Sequence, residues 1–354
     1  MNILVINPGS TSTKVALYTG EEMLDSRNFS HSNEELAKFP ETLDQLDFRY
    51  EFVMRFLSDT GRRPIDLDCI MSRGGMPPGA CSGATAIDDN LIEALRERAV
   101  EPHPASLGPI IAARIANEGG GIPAYIYDPI TTNELDPIAK VSGVKGIEHD
   151  SLCHVLNARA MAISAAQEIG APFASLNIIV IHIGGGNSVS LWSEGRLRDV
   201  YPTDTTAFSA ERCGMIRGDR LLRLSMKHGY ETVLGWLHGK GGLVSLLGTN
   251  DMRIVDQMIE DGDEYALLCM RAMAYQFSKS IAGLFTTVYG KIDGIVFTGG
   301  GARWGRLIGE IKERITFLGA PVYMRPGEHE IKALAEGALR VMRGEEAVHR
   351  YSEA

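Results

Sequence analysis

Residues 3–17 read ILVINPGSTSTKVAL and residues 178–192 read IIVIHIGGGNSVSLW. The two stretches lie 175 positions apart, about half of the 354-residue chain. Each is a β-branched apolar run, a polar residue (Asn7, His182), a glycine-rich turn and a second apolar stretch. That order encodes a strand, a tight turn and a returning strand. A hairpin met twice at half-chain spacing signals internal duplication when its surroundings agree.

The surroundings agree. After the first hairpin, helical spacing predicts helices over 41–58, 90–98 and 105–117, with short strands at 68–71 and 124–127. After the second, helices are predicted over 217–227, 251–260, 264–288, 304–316 and 331–343, with an apolar strand at 294–298. An Ala-rich helix over 151–168 precedes the second hairpin. Alternating elements in two similar halves predict an α/β protein with two related lobes, 1–150 and 151–330. No low-complexity linker marks the boundary. The methionines around 161 and 270–273 read as core, not as a cofactor box.

Composition narrows the function. The chain is long enough for two domains at roughly 150 residues each. With 44% hydrophobic and 23% charged residues it reads as globular, not disordered or fibrous. Its 35 basic and 45 acidic residues give a net charge of −10, which argues against nucleic acid or an anionic membrane as partner. Cysteines 69, 81, 153, 213 and 269 form no C-x-x-C pair and read as reduced thiols of a cytoplasmic protein. No signal-peptide pattern opens the chain, and no run approaches about 18 apolar residues.

Three glycine-rich turns are candidate phosphate cradles, because glycine lets backbone N–H groups approach an anion. The first supplies Asn7, Ser10, Ser12 and Lys14. The second supplies His182, Gly184, Gly185 and Gly186. The third, Thr298-Gly299-Gly300-Gly301, follows a strand and leads into a helix, which suits a nucleotide. G-x-x-x-x-G-K-[ST] is absent, so this is not a P-loop protein. GGGIPA at 119–124 follows a helix and leads into a strand, the reverse of a dinucleotide site. Any one such turn could be a plain hairpin. Three in a duplicated α/β chain match, by analogy, the actin, hexokinase and sugar-kinase fold, with ATP in an interlobe cleft.

The match then becomes specific. Asn7-x-Gly9-Ser10-Thr11-Ser12-x-Lys14 after a strand resembles the opening signature of the acetate and butyrate kinase family. In order there follow Ser72-Arg73-Gly74-Gly75, Glu101-Pro102-His103-Pro104, Tyr127-Asp128-Pro129 and Ser151-Leu152-Cys153-His154. His182-Ile183-Gly184-Gly185-Gly186, Glu211-Arg212-Cys213-Gly214, 247–253 and Phe297-Thr298-Gly299-Gly300 complete the series. The butyrate kinase branch is the nearer resemblance, on length and on Asn28-Phe29-Ser30-His31-Ser32, 271–276 and 338–346.

The resemblance implies a ribonuclease H-like topology in each lobe, with a C-terminal segment, 331–354, returning to the first lobe. It implies ATP-dependent phosphorylation of a short carboxylate, with ADP and Mg²⁺, in a homodimer or higher homo-oligomer. Arg73 would hold the carboxylate with a two-donor fork, or else form a surface salt bridge. Arg212 would stabilise the phosphoryl group in flight, or else pair with Glu211 or another acid. Asp128 would hold Mg²⁺ or orient the nucleophile, or else N-cap a helix or form a turn beside Pro129. The acceptor is already ionised, so no strong base is needed. His154 and His182 would donate to phosphoryl oxygens and His103 would touch the substrate, each with a packed core histidine as the plainer alternative. Asp251, Arg253, Gly299, Gly300 and Gly301 would contact the nucleotide, with helix N-capping the alternative for Asp251.

Cys153 and His154 do not suggest a thiol nucleophile. His149, Cys153 and His154 lack a fourth ligand at zinc spacing. Acetate kinases carry a glutamate and an asparagine after the nucleotide glycines, where this chain has Gly301-Ala302-Arg303-Trp304. Glu328 and Glu330 are possible substitutes. Two alternatives remain: a kinase for acetate, propionate or a branched acid, and a catalytically silent nucleotide-dependent switch on the same fold.

Overall fold

A computed structural model describes residues 1–352. It divides into two compact units: Met1–Asn133 with the chain from His329 onward, and Glu134–Glu328. Division at 150 sets residues 134–150 with the first lobe, but in the structure they group with the second unit. The reason is local. The Asp136 N–H donates to Arg198 O at 3.0 Å, and its carboxylate pairs with Arg196 at 2.7 Å and with Arg198.

The first unit holds β1 (Asn2–Pro8), β2 (Ser12–Thr19), β3 (Glu22–Ser30), β4 (Cys69–Arg73), β5 (Ala84–Ala86) and β6 (Ala124–Tyr127). The second begins with a small hairpin, β7 (Val141–Val144) and β8 (Ile147–Glu148). It continues with β9 (Asn177–His182), β10 (Ser188–Ser193), β11 (Arg196–Tyr201), β12 (Gly294–Gly299) and β13 (Val322–Pro326). The last strand, β14 (Val348–His349), belongs to the first unit.

The sheets run β14-β5-β6-β4-β1-β2-β3 and β11-β10-β9-β12-β13. Both contain one plan. A three-strand antiparallel meander (β1–β3, β9–β11) adds two parallel strands beside its first member (β4 and β6, β12 and β13). The duplication read from the two hairpins is therefore a duplication of topology. Its register is not perfect. Asn7 faces Lys14 across the first turn, whereas His182 faces Ser188 across the second, which is one residue shorter.

Helices cover the sheets. Ile3–Ile6 of β1 are wholly buried, as a strand with both faces covered requires. Leu4 and Ile6 pack with Val53, Phe56, Leu107 and Ile111, which come from the helices Leu46–Asp59 and Leu107–Glu118. The alternate residues Ile3 and Val5 point to the other face. The helix Glu330–Met342 packs on β1 and β4. In the second unit, Ile179, Ile181, Ile295 and Phe297 pack with Met270, Met273 and Phe277 of the helix Glu264–Thr287. Those methionines are core, as read from the sequence.

Two predicted helices are shorter than expected. The 41–58 stretch splits into a tight turn at Thr42–Gln45 and the helix Leu46–Asp59. The 151–168 helix starts at Val155, which leaves Cys153 and His154 ahead of it. Among the described residues no helix is long and apolar enough to cross a membrane.

Candidate functional site

In the first unit the candidate residues gather at the carboxyl ends of three parallel neighbours, where open α/β sheets bind ligands. Ile6 pairs with Ser72 and Arg73 with Tyr127, so Asn7, Arg73 and Asp128 leave β1, β4 and β6 side by side. The Asn7 side-chain amide donates to Glu330 Oε2 at 2.7 Å. Arg73 Nη1 stands 3.3 Å from Glu330 Oε1 and 3.5 Å from Asn7 Oδ1. Among the described residues every contact of this guanidinium runs through Nη1, so Nε and Nη2 remain for a two-oxygen acceptor. Glu330 opens the terminal helix and was foreseen only as a substitute carboxylate.

Asp128 is 2% exposed and takes the Gly83 N–H at 2.7 Å. Its φ of 45° is uncommon for a residue with a Cβ. Such strain concentrates at functional sites. It is not a helix N-cap. A Cβ on Gly74 would lie 2.6 Å from Pro129, so the glycine lets the Arg73 and Asp128 turns approach. His103 Nδ1 accepts the Ala105 N–H at 3.1 Å, which leaves the proton of the neutral ring on Nε2. Burial first, then Arg73 and Arg49, push its pKa down to about 4. Around the first turn Ser10 is exposed and Ser12 half-buried. Lys14 lies opposite Asn7 and shares its face of the sheet.

The second unit holds a cavity of about 670 Å³, the size of a small-molecule site. Gly184, Gly185, Asp251, Arg253, Gly300 and Gly301 line it, as do Glu211, Asn250, Asp256, Trp304 and Glu328. The three glycines after β12 act differently. Gly299 has φ 84° and would press a Cβ to 2.3 Å from Ile183 O. Gly301 would press one to 2.4 Å from the Ile183 side chain. A Cβ on Gly300 would meet only open space. The helices Met252–Glu260 and Gly305–Ile315 begin at this cavity, and helix N-termini favour phosphate.

Asp251 is the N-cap of its helix, accepting the Arg253 N–H at 2.9 Å. The Arg253 side chain pairs with it at 2.6 Å and holds its pKa at about 2. Arg253 is otherwise 91% exposed. Both residues still line the cavity. Trp304, whose indole N–H donates to Asp256 Oδ1 at 2.8 Å, is a lining residue that the sequence left unmarked.

The second turn is clamped from behind. Buried Asn187 accepts the Gly184 N–H at 3.1 Å and donates to Phe208 O at 2.9 Å. The Ser209 hydroxyl donates to Gly185 O. A Cβ on Gly186 would lie 3.1 Å from Arg212 Cζ, so the guanidinium rests against this turn. Glu211 accepts from Asn250 at 2.8 Å.

His154 and His182 come together. Their rings stack with centroids 3.8 Å apart and planes 12° apart. His154 Nδ1 lies 3.0 Å from Ser188 Oγ. Asn157 Nδ2 lies 3.0 Å from His182 Nδ1 and donates to Thr298 Oγ1 at 3.0 Å. With Nδ1 accepting, the His182 proton sits on Nε2, the nitrogen beside Gly184. Neither Asn157 nor Asn187 was singled out from the sequence, because their work is holding other groups. Burial pushes the Cys153 thiol up to about 12, which keeps it protonated near neutral pH and disfavours a thiolate. Among the described residues no group of three His, Cys, Asp or Glu side chains forms a metal nest.

Residues 154–321 match the acetokinase family. The solved structures agree on the fold. An acetate kinase from Porphyromonas gingivalis superposes with a TM-score of 0.80 at 19% identity, covering 96% of this chain and 99% of its own. A propionate kinase from Francisella tularensis subsp. tularensis SCHU S4 gives 0.76 at 18%, covering 95% and 98%. A ROK family protein from Streptococcus pneumoniae TIGR4, in complex with sucrose, gives 0.53 at 12%, covering 98% and 100%. The chain has the actin/hexokinase-like α/β fold expected from its two hairpins. The acetokinase match spans the second turn, Arg212, 247–253 and the β12 glycines.

Proposed function

We propose that the protein transfers the γ-phosphoryl group of ATP to a short aliphatic carboxylate, reversibly, with butyrate the preferred acid. The observation that carries this reading is Arg73, fixed through Nη1 with Nε and Nη2 unused beside Asn7 and Glu330. A planar fork of this kind matches a carboxylate. The acetokinase match supports the reaction class, and the motifs of the butyrate branch support the acid.

One carboxylate oxygen attacks the γ-phosphorus, and the bond to the β–γ bridging oxygen breaks, leaving with ADP. No proton moves, because the acid is already ionised. Catalysis is then positioning and charge stabilisation. Arg73 aligns the acid, and the neutral His103 borders it. Ser10, Ser12 and Lys14 on one turn, and Gly184, Gly185 and Gly186 on the other, receive phosphate oxygens. Arg212 and His182 Nε2–H supply positive charge and a donor as equatorial charge develops, and His154 braces the His182 ring. Asp251, Arg253 and Gly299–Gly301 hold the nucleoside end.

The donor set fits Mg²⁺, which takes one or two carboxylates with water and substrate phosphate. Glu330 and Asp128 are the residues that would hold it. Bound Mg²⁺ neutralises phosphate charge. Five free cysteines agree with a cytoplasmic site, and the family resemblance with a homodimer or larger oligomer.

The test is hydroxylamine trapping of acyl phosphate with Mg·ATP and acetate, propionate, butyrate, isobutyrate or valerate. Butyrate should give the highest kcat/KM. The preference should be broad, since one methylene is worth only about 1–3 kcal/mol. Arg73→Ala and Arg73→Lys should both lower kcat/KM on the order of 10²–10³-fold while nucleotide still binds. Nucleotide binding with no hydroxamate from any acid would instead identify a silent switch.

A further inference from the structure

Arg49, on the helix Leu46–Asp59, is wholly buried directly behind the first glycine-rich turn. Its Nη1 donates to Gly9 O at 2.9 Å, Ser12 O at 2.8 Å and Thr13 Oγ1 at 3.2 Å. Its Nη2 donates to Ser10 O at 3.1 Å and to Gln45 Oε1 at 2.9 Å, and Nε donates to Gln45 Oε1 at 3.0 Å. Every nitrogen of the guanidinium is engaged, and every acceptor is neutral. Among the described residues no carboxylate pairs with it. A buried charge without a counter-ion is costly. An apolar side chain could fill the same volume without that cost, so the charge calls for a reason.

The peptide plane supplies one. In a trans peptide the C=O of one residue and the N–H of the next point in opposite directions. Arg49 draws the carbonyls of Gly9 and Ser10 inward, which turns the N–H groups of Ser10 and Thr11 outward. Successive N–H groups turned one way form an anion nest. The positive charge lies behind them, and burial, while lowering its pKa to about 10, leaves it charged at neutral pH.

We propose that Arg49 is a positioning residue that aims the Ser10 and Thr11 N–H groups at a phosphoryl group and adds an uncompensated positive field behind them. Its effect on turnover rests on the carboxylate-kinase reading, but the anion nest itself does not.

The test titrates inorganic phosphate into the full-length protein carrying ¹⁵N-labelled serine and threonine. In the unsubstituted protein the Ser10 and Thr11 amide signals should move. In Arg49→Met they should stay, and kcat should fall on the order of 100-fold with little change in the KM for nucleotide. Arg49→Lys keeps the charge with three donors in place of five, so it should bind phosphate with intermediate affinity. A role confined to holding the fold predicts something else: a lower Tm, with phosphate shifts and kcat of the folded protein unchanged in both variants. That result overturns the proposal. So do still Ser10 and Thr11 amides in the unsubstituted protein, a readout that stands even if Arg49→Met fails to fold. If no acid is phosphorylated at all, the kinase reading fails while the phosphate titration still decides the nest.

Discussion

His103 shows how a single side chain acquires its state. Its Nδ1 accepts the Ala105 N–H, and burial, with Arg73 and Arg49 nearby, disfavours a further positive charge. The folded pKa of about 4 lies below the ordinary 6.5, so the unfolded chain binds more protons between those values. The stabilisation is therefore complete above about pH 6.5 and declines as pH falls towards 4. The Tm should drop on acidification through that window, and His103→Gln should flatten the drop between pH 6.5 and 5. An unchanged slope, measured by differential scanning calorimetry, would show that this imidazole does not titrate as described. Sequence alone marked the residue but not its protonation, which depends on arginines 30 and 54 positions away. Arg49 was not marked at all. In sequence it is one more charge on an amphipathic helix, and only its six contacts with the turn and Gln45 set it apart.

At the scale of elements, the second site depends on turns held in shapes that only glycine tolerates. Gly214 follows Arg212 by two residues, has φ 63°, and would place a Cβ 2.4 Å from Phe208 N. That contact is with backbone and cannot be relieved by rotating a side chain. Gly214→Ala should cost roughly 1–3 kcal/mol and displace the Arg212 segment from Gly186. The expected result is a lower Tm and strongly reduced acyl phosphate formation, with nucleotide affinity lowered as well, because Ala210 and Glu211 of the same segment line the cavity. Wild-type turnover in this variant would remove Arg212 from the mechanism. The sequence motif contained this glycine, but nothing in it named Phe208 as the neighbour. Helix starts were also misread. The turn Thr42–Gln45 is closed by local bonds between Glu41 and Asp44, whereas His154, ahead of its helix, reaches Ser188 Oγ far along the chain.

For the whole molecule, the first unit is completed by the chain from His329 onward. Ala333, Leu334, Ala335, Ala338 and Leu339 of the terminal helix are buried. Exposing a buried leucine costs about 1.5–3 kcal/mol, so a chain ending at Glu328 should lose the fold of the first unit. The three tryptophans, 192, 236 and 304, all lie in the second unit. The truncated protein should thus keep native tryptophan emission and bind ADP while losing part of its far-ultraviolet ellipticity. Full ellipticity would show that the first sheet stands without this helix. What the sequence determined by itself is local and periodic: two hairpins at half-chain spacing, the strand and helix order, and three glycine-rich turns. These follow from side-chain alternation and backbone permissiveness, which neighbours in sequence dictate. What only the tertiary structure decided is which distant groups meet: Glu330 with Asn7 and Arg73, Asn157 with His182 and Thr298, and Arg49 with the first turn. Those pairings depend on strand register and on where a returning helix lands, and no sequence spacing encodes either.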